Sequence, residues 1–246
     1  MTVPIIVELT TNVEVPVFPP EELLISEDGV PLESDWHAIE IDLLRELVHQ
    51  HFASRTDFFA GGNMFIYFNE EQARNKDYRG PDFFLVWGAS PMPLRPYWAI
   101  WKEGGKYPDL IIELLSPSTA VVDRTVKKNL YEQTFRTPDY FCYDPISENL
   151  EGWHLNSDGE YEPLVANKDG WLWSKELQLW LGLWSGLHLG RLTTWLRFFT
   201  SVGKLVPTGK EVADAAKERA DAAEDRANAA EAELARLKPA LQPKKN

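Results

Sequence analysis

An α/β (α+β) domain followed by a coiled-coil-like C-terminal helix is the fold class that this sequence predicts, on three observations. Ile39, Leu43, Leu44, Leu47 and Val48 recur at the spacing of one helix face. Apolar runs near 82–88 and 109–115, and the stretch D-Y-F-C-Y-D-P from Asp139, read as buried strands. From Ala213 to Leu237, Ala and Leu alternate at steps of three and four, a heptad seam with charged flanks.

The elements follow in order. Residues 1–33 are acidic and Pro-rich, and read as an extended arm with room for a short strand. Ser34 and Asp35 are N-cap candidates for a helix running to about Phe52. Asp57 to Phe68 is aromatic and reads as a strand, with Gly61-Gly62 marking a bulge or a close backbone approach. Residues 69–79 form a polar connector. Pro91, Pro93, Pro96, Gly104 and Gly105 mark a loop around Trp98–Trp101. Ser116-Pro117-Ser118 ends a strand and leads to a helix near 123–135. From Trp153 to Val206 the pattern predicts short antiparallel strands and one short helix. The resulting division is an arm at 1–33, a domain at 34–206 and a helical tail at 207–246.

Composition sets limits. The 246 residues are 44% hydrophobic, enough for a packed core. No run of 18 apolar residues and no basic-then-apolar N-terminus exists, so a cytoplasmic protein with no membrane partner is expected. Cys142, the one cysteine, sits between Phe141 and Tyr143 and reads as a buried strand thiol. The net charge of −13 argues against tight nonspecific nucleic-acid binding, but it is uneven. Residues 1–42 carry ten acids and no Lys or Arg, whereas 43–210 carry 20 acids and 18 bases. The body is close to neutral.

The chemistry-bearing residues lie between Gly80 and Tyr131. G-P-D-F-F-L-V-W places Asp82 at the start of a strand, and P-D-L-I-I-E-L-L-S-P-S-T places Glu113 inside one. A carboxylate among buried neighbours needs a partner. Glu113 shares a strand face with Ile111 and Leu115. If Asp82 lies on the adjacent strand, the two carboxylates converge on one divalent cation, Mg²⁺ or Mn²⁺, for phosphodiester hydrolysis. Asp123, Lys127 and Tyr131 are spaced by four and lie along one helix face. Spacing alone leaves open an ordinary exposed ion-pair face there, with Lys128 solvated. It also leaves Asp82 and Asp109, each after a proline, as turn residues.

P-D-L-I-I-E-L-L-S-P-S-T, followed by Asp123, Lys127 and Tyr131 and then T-P-D-Y-F-C-Y-D-P, resembles the Uma-two family within the PD-(D/E)XK nuclease superfamily. The resemblance covers roughly residues 30–200. It implies a restriction-endonuclease-like mixed sheet flanked by helices and a metal-dependent endonuclease acting on DNA. It assigns Asp82 and Glu113 as metal ligands and catalytic acids, and Lys127 as the catalytic lysine. The superfamily's usual lysine position, two residues after the acid, is Leu115 here. His37 and Glu40 on the first helix match positions used by relatives, Glu40 as a further residue able to reach the metal. A nuclease-fold interaction module that no longer cleaves, and a carboxylate-pair hydrolase acting on sugars, are the competing classes. The seam predicts a homodimer through the tail, with the body as the other candidate interface and a solvated tail as the alternative.

Overall fold

The computed structural model describes residues 18–24, 34–75 and 80–237. Most of the acidic arm therefore lies outside the described residues; of it, Glu21–Leu23 form one 3₁₀ turn.

Helix α1 spans Asp35–His51 and starts where Ser34 predicts, with Ser34 Oγ accepting from His37 N at 3.3 Å. Strands β1 (Phe58–Gly62), β3 (Phe83–Trp87), β5 (Leu110–Leu114), β6 (Asp139–Asp144), β7 (Asn149–Leu155) and β8 (Tyr161–Pro163) form one six-stranded sheet in the order β1-β3-β5-β6-β7-β8. Only β5 and β6 run parallel; the remaining neighbours are antiparallel. Parallel neighbours need a crossover, and helix α3 (120–135) supplies it. A short parallel pair, β2 (Ile66–Tyr67) with β4 (Trp98–Ala99), stands apart. Within the stretch read as a polar connector, Glu70–Arg74 form helix α2, capped by Asn69.

The sheet's two faces bury different partners. Leu110, Ile112 and Leu114 face α1, through Leu43, Leu44 and Leu47, together with Leu181, Trp195 and Phe198. Ile111 and Leu115 face α3, through Tyr131 and Phe135. Cys142 is buried on that second face, as the sequence suggests.

The region from Trp153 onward departs from expectation. No helix appears between 153 and 206, and two strands are long: β10 (Leu179–His188) and β11 (Arg191–Phe199). They form a hairpin closed by Leu189-Gly190, both at positive φ, flanked by the pair His188↔Arg191. Two positive-φ residues match the type I′ turn that a right-handed strand twist favours. With β9 (Leu172–Ser174) the hairpin makes a three-stranded sheet covering α1.

Helix α4 runs Gly209–Leu237. Its start is a capping box: Glu211 N donates to Thr208 Oγ1 at 3.2 Å and Thr208 N donates to Glu211 Oε2 at 2.7 Å. Every residue from Val212 to Arg236 is exposed. Among the described residues, no helix is long and apolar enough to cross a membrane.

Candidate active site

The site forms at the end of β5, where the β3 ladder stops. The register pairs Phe83 with Ile112, so Asp82 is the first residue beyond the pairing. Its carboxylate takes over from the missing ladder: Leu114 N donates to Asp82 Oδ2 at 2.7 Å. Asp82 N in turn donates to Glu113 Oε2 at 3.4 Å. Gly62 of β1 permits this approach. A Cβ on Gly62 would lie 2.4 Å from Ile41 Cγ2 and 2.9 Å from the Asp82 carbonyl oxygen. Asn63 N donates to that same carbonyl at 3.2 Å. The Gly61-Gly62 signal is thus a pair of close approaches, Gly61 to the Phe84 ring and Gly62 to the Asp82 carbonyl.

Glu113 points from β5 toward α3 and is fully buried. Tyr131 Oη donates to Glu113 Oε1 at 2.8 Å, and Lys127 Nζ lies 3.1 Å from Oε2. Lys127 Nζ also lies 2.8 Å from Asp123 Oδ1. Asp123, Lys127 and Tyr131 sit on a helix that is not uniformly α. Residues Asp123–Lys127 and Tyr131–Phe135 wind as π-turns. A π-turn holds more than the 3.6 residues of an α-turn, so residues four apart line up more nearly one above another. That alignment brings all three side chains to Glu113's side of the sheet.

The cluster holds three carboxylates against one ammonium. Burial, then the Asp82 and Asp123 charges, pushes Glu113 up to about 8, with Lys127 opposing the rise. Burial likewise raises Asp82, again opposed by Lys127. Burial works against the charged form of Lys127, but Glu113, Asp123 and Asp82 outweigh it and hold its pKa above the ordinary lysine range. The Lys127 side chain is 17% exposed and Asp82 is half-buried, so the cluster meets solvent along that side.

Among the described residues, no group of three or more His, Cys, Asp or Glu could by itself hold a metal ion. Mg²⁺ needs less: one or two carboxylates, with water and phosphate oxygens completing its shell. Asp82 and Glu113, joined by the hydrogen bond from Asp82 N to Glu113 Oε2, supply two such carboxyl groups.

Other predicted residues fall in different places. His37 reaches the site through the backbone: its Nε2 is 3.1 Å from the Leu114 carbonyl oxygen, and its Nδ1 is 2.8 Å from Ser34 Oγ. Glu40 does not join the cluster. It is fully buried on the α1 side, where Leu196 N donates to its Oε2 at 3.3 Å and Arg197 supplies the nearby charge. Leu115 fills the core, and Lys127 stands beside Glu113 in its stead. Lys128 is half-buried rather than solvated, its Nζ 4.7 Å from the Trp153 ring centroid. Asp109 ends its turn as expected, its Oδ2 accepting from Trp87 N at 2.6 Å. Sequence reasoning missed the Ser116–Thr119 exchange that opens α3, in which each residue's amide donates to the other's hydroxyl at 3.2–3.3 Å. The S-P-S-T string was the available signal.

A family model described as "Putative restriction endonuclease", Uma2, matches residues 14–191. The chain belongs to the Uma2 family. All of the candidate site residues lie within the matched span. An uncharacterized protein of Synechocystis sp. (strain ATCC 27184 / PCC 6803 / Kazusa), slr1290, is 38% identical over 61 residues. That match covers 25% of this chain, which spans about a third (31%) of the relative. A crystal structure from Anabaena variabilis ATCC 29413, described as a "putative nuclease belonging to DUF820", superposes with a TM-score of 0.43 at 14% identity. It covers 60% of this chain and 76% of the other.

Proposed function

We propose that this Uma2 chain is a divalent-cation-dependent endonuclease that hydrolyses DNA phosphodiester bonds, with Mg²⁺ or Mn²⁺ held by Asp82 and Glu113. The observation that carries the reading is Lys127: its ammonium stands 3.1 Å from Glu113 although the strand position beside that acid is Leu115. When bound, the cation supplies Lewis-acid polarisation of the scissile phosphate.

The chain's own residues do the rest. Lys127 keeps its proton, because the acids around it raise its pKa. It therefore acts as a fixed positive charge that stabilises the pentavalent transition state, and not as a base. Tyr131 fixes the Glu113 carboxylate from behind. Asp82 and His37 hold the N–H and C=O of Leu114, so both polar groups of the backbone beside Glu113 are fixed. The tail, in this reading, associates two copies so that each strand of a duplex meets one site.

The test is nicking of supercoiled plasmid by the purified full-length chain with Mg²⁺ or Mn²⁺. Conversion to open circle that chelator abolishes supports the reading; cleavage indifferent to chelator overturns it. A second reading has one observation in its favour. Both Glu113 oxygens are engaged internally, by Tyr131 and Lys127, as in a nuclease-fold module that binds without cutting. DNA retained in a gel-shift assay, with no nicking under either cation, selects that second reading.

A further inference from the structure

Several charges on α4 have nothing to pair with in their own helix, and four of them flank its seam. The residues three and four positions away from Arg219 are Ala215, Ala216, Ala222 and Ala223. Arg226 is likewise flanked only by alanines at those distances. Those are the only spacings at which helix side chains meet. Each arginine instead donates Nε to the carbonyl four residues back, Ala215 and Ala222, both at 2.9 Å. Glu224 and Glu231 have no Lys or Arg at those distances. Glu218 and Asp225 also lack a basic residue at those distances but lie at f, away from the seam, whereas Lys210 pairs with Asp214.

The heptad explains where the four charges look. With Ala213, Ala220, Ala227 and Leu234 at a, and Ala216, Ala223, Ala230 and Leu237 at d, both arginines fall at g and both glutamates at e. We propose that a second copy of this chain covers the exposed seam of α4 as a parallel, in-register two-stranded coiled coil. This rests on the self-association reading of the tail and goes beyond it in fixing direction and register.

In a parallel dimer, each g residue faces the e residue of the following heptad on the other helix. Arg219 then faces Glu224 of the second copy, and Arg226 faces Glu231 of the second copy. In a fully overlapping antiparallel dimer, g faces g and e faces e. With Ala216 level with Leu234 of the second copy, Arg226 would lie beside Arg226 of the second copy and Glu224 beside Glu224 of the second copy. Arg226 and Glu224 thus meet opposite charges in one direction and like charges in the other. Small seam residues let the two backbones approach closely, which keeps these long side chains in reach. The body end of α4 is also pinned, Arg197 Nη2 donating to Glu211 Oε2 at 2.8 Å. Parallel pairing therefore sets two bodies side by side. Antiparallel pairing would separate them by roughly the length of the 29-residue helix, about 43 Å at 1.5 Å per residue.

The experiment is disulfide trapping in the full-length chain. Cys142 is buried, so an introduced thiol on α4 is the accessible one. Ala216→Cys and Leu234→Cys are oxidised separately and as a mixture. Parallel in-register pairing cross-links each variant with itself and adds no mixed product. A cross-link confined to the mixture overturns the parallel assignment and leaves the dimer standing. Absence of cross-links, with monomer mass in sedimentation, overturns both. A charge reversal gives a second measure. Arg219→Glu with Arg226→Glu should weaken the dimer about tenfold or more, and adding Glu224→Arg with Glu231→Arg should restore it. An unchanged dimer in the double variant also overturns the pairing.

Discussion

Glu113 and Glu40 are the same residue, each fully buried, each in a regular element, each close to a basic side chain. Their surroundings make them opposites. Glu113 has both oxygens engaged and shares its space with Asp82, Asp123 and Lys127, whose side chain reaches solvent. Glu40 has one backbone donor on Oε2 and no hydrogen-bond partner on Oε1. It is sealed under the β10–β11 hairpin beside Arg197, whose Nε is also unpartnered. Burial raises the pKa of both. What separates them is company: Glu113 shares its space with two further acids and a lysine in a cluster that meets solvent, whereas Glu40 is a lone buried carboxyl under the hairpin. The depth of a carboxylate says little about function; the charge and exposure of what surrounds it say more.

The largest effects should fall on one side of this comparison. Glu113→Gln and Asp82→Asn keep shape while replacing one accepting oxygen with an NH₂ donor and removing the ability to ionise. Each should reduce cation-dependent nicking by at least about 10²-fold, the scale of losing a principal electrostatic contribution. Glu40→Gln should leave the rate within about twofold. A comparable loss in Glu40→Gln would erase the distinction between the two sites.

The two glutamates also differ in how legible they were. Glu113, Lys127 and Tyr131 could be read because the rules that place them are local: alternation on a strand, and four-residue spacing on a helix. The Ser34 cap and the glycine pair at 61–62 are local signals too, and both took the positions their chemistry requires. Glu40 could not be placed that way. Its donor, Leu196, is 156 residues away in sequence, on a hairpin whose length and seat on α1 no short window encodes. The His37 contact with Leu114 spans 77 residues and was equally hidden. Lys128 was misplaced for a related reason: the Trp153 ring that covers it belongs to a strand two elements later. The π-turns of α3 answer to packing rather than to propensity, so only the direction of its polar face could be foreseen.

The next effect sharpens the Glu40 side. Its carboxyl stays protonated in the folded protein well above 4.5, the ordinary value at which the unfolded chain releases that proton. The folded state thus binds more protons through this window, and stability falls as pH rises above 4.5 toward the folded value. The slope approaches about 1.4 kcal/mol per pH unit for one group. Glu40→Gln should remove that component. Urea denaturation at pH 5 and pH 7 measures it: the wild type should lose more stability across the interval than the variant. Equal losses would mean that Glu40 does not titrate out of step with the unfolded chain.

A smaller effect is expected behind Glu113. Tyr131→Phe removes only the hydroxyl that donates to Oε1, leaving the ring packed against Phe135 and Tyr140. Leaving a buried acceptor without its donor costs about 1–3 kcal/mol, and nicking should fall roughly tenfold through a loosened Glu113 carboxyl group. The drop should appear in kcat, with KM for DNA unchanged. A shift in KM alone would place Tyr131 in substrate binding instead.

The smallest effect lies at the far end of the Glu40 network, where α4 meets the body. Glu211 closes the capping box with Thr208 and accepts from Arg197, but its side chain remains 36% exposed. Glu211→Ala therefore loses a cap and a partly solvated ion pair. A cap is worth about 1 kcal/mol, and in a chain of this size that corresponds to a Tm lower by about 2–4 °C. Arg197 keeps its bond to the Val206 carbonyl at 2.8 Å, so the hairpin should stay seated on α1. Nicking of supercoiled DNA should be unchanged, because Arg197 and Glu211 lie on the hairpin side of α1, across the sheet from Lys127. Differential scanning calorimetry and the plasmid assay on the same preparation read both quantities. Full stability with lost nicking would reverse the assignment, making the tail junction part of the site and the sheet no barrier between the two glutamates.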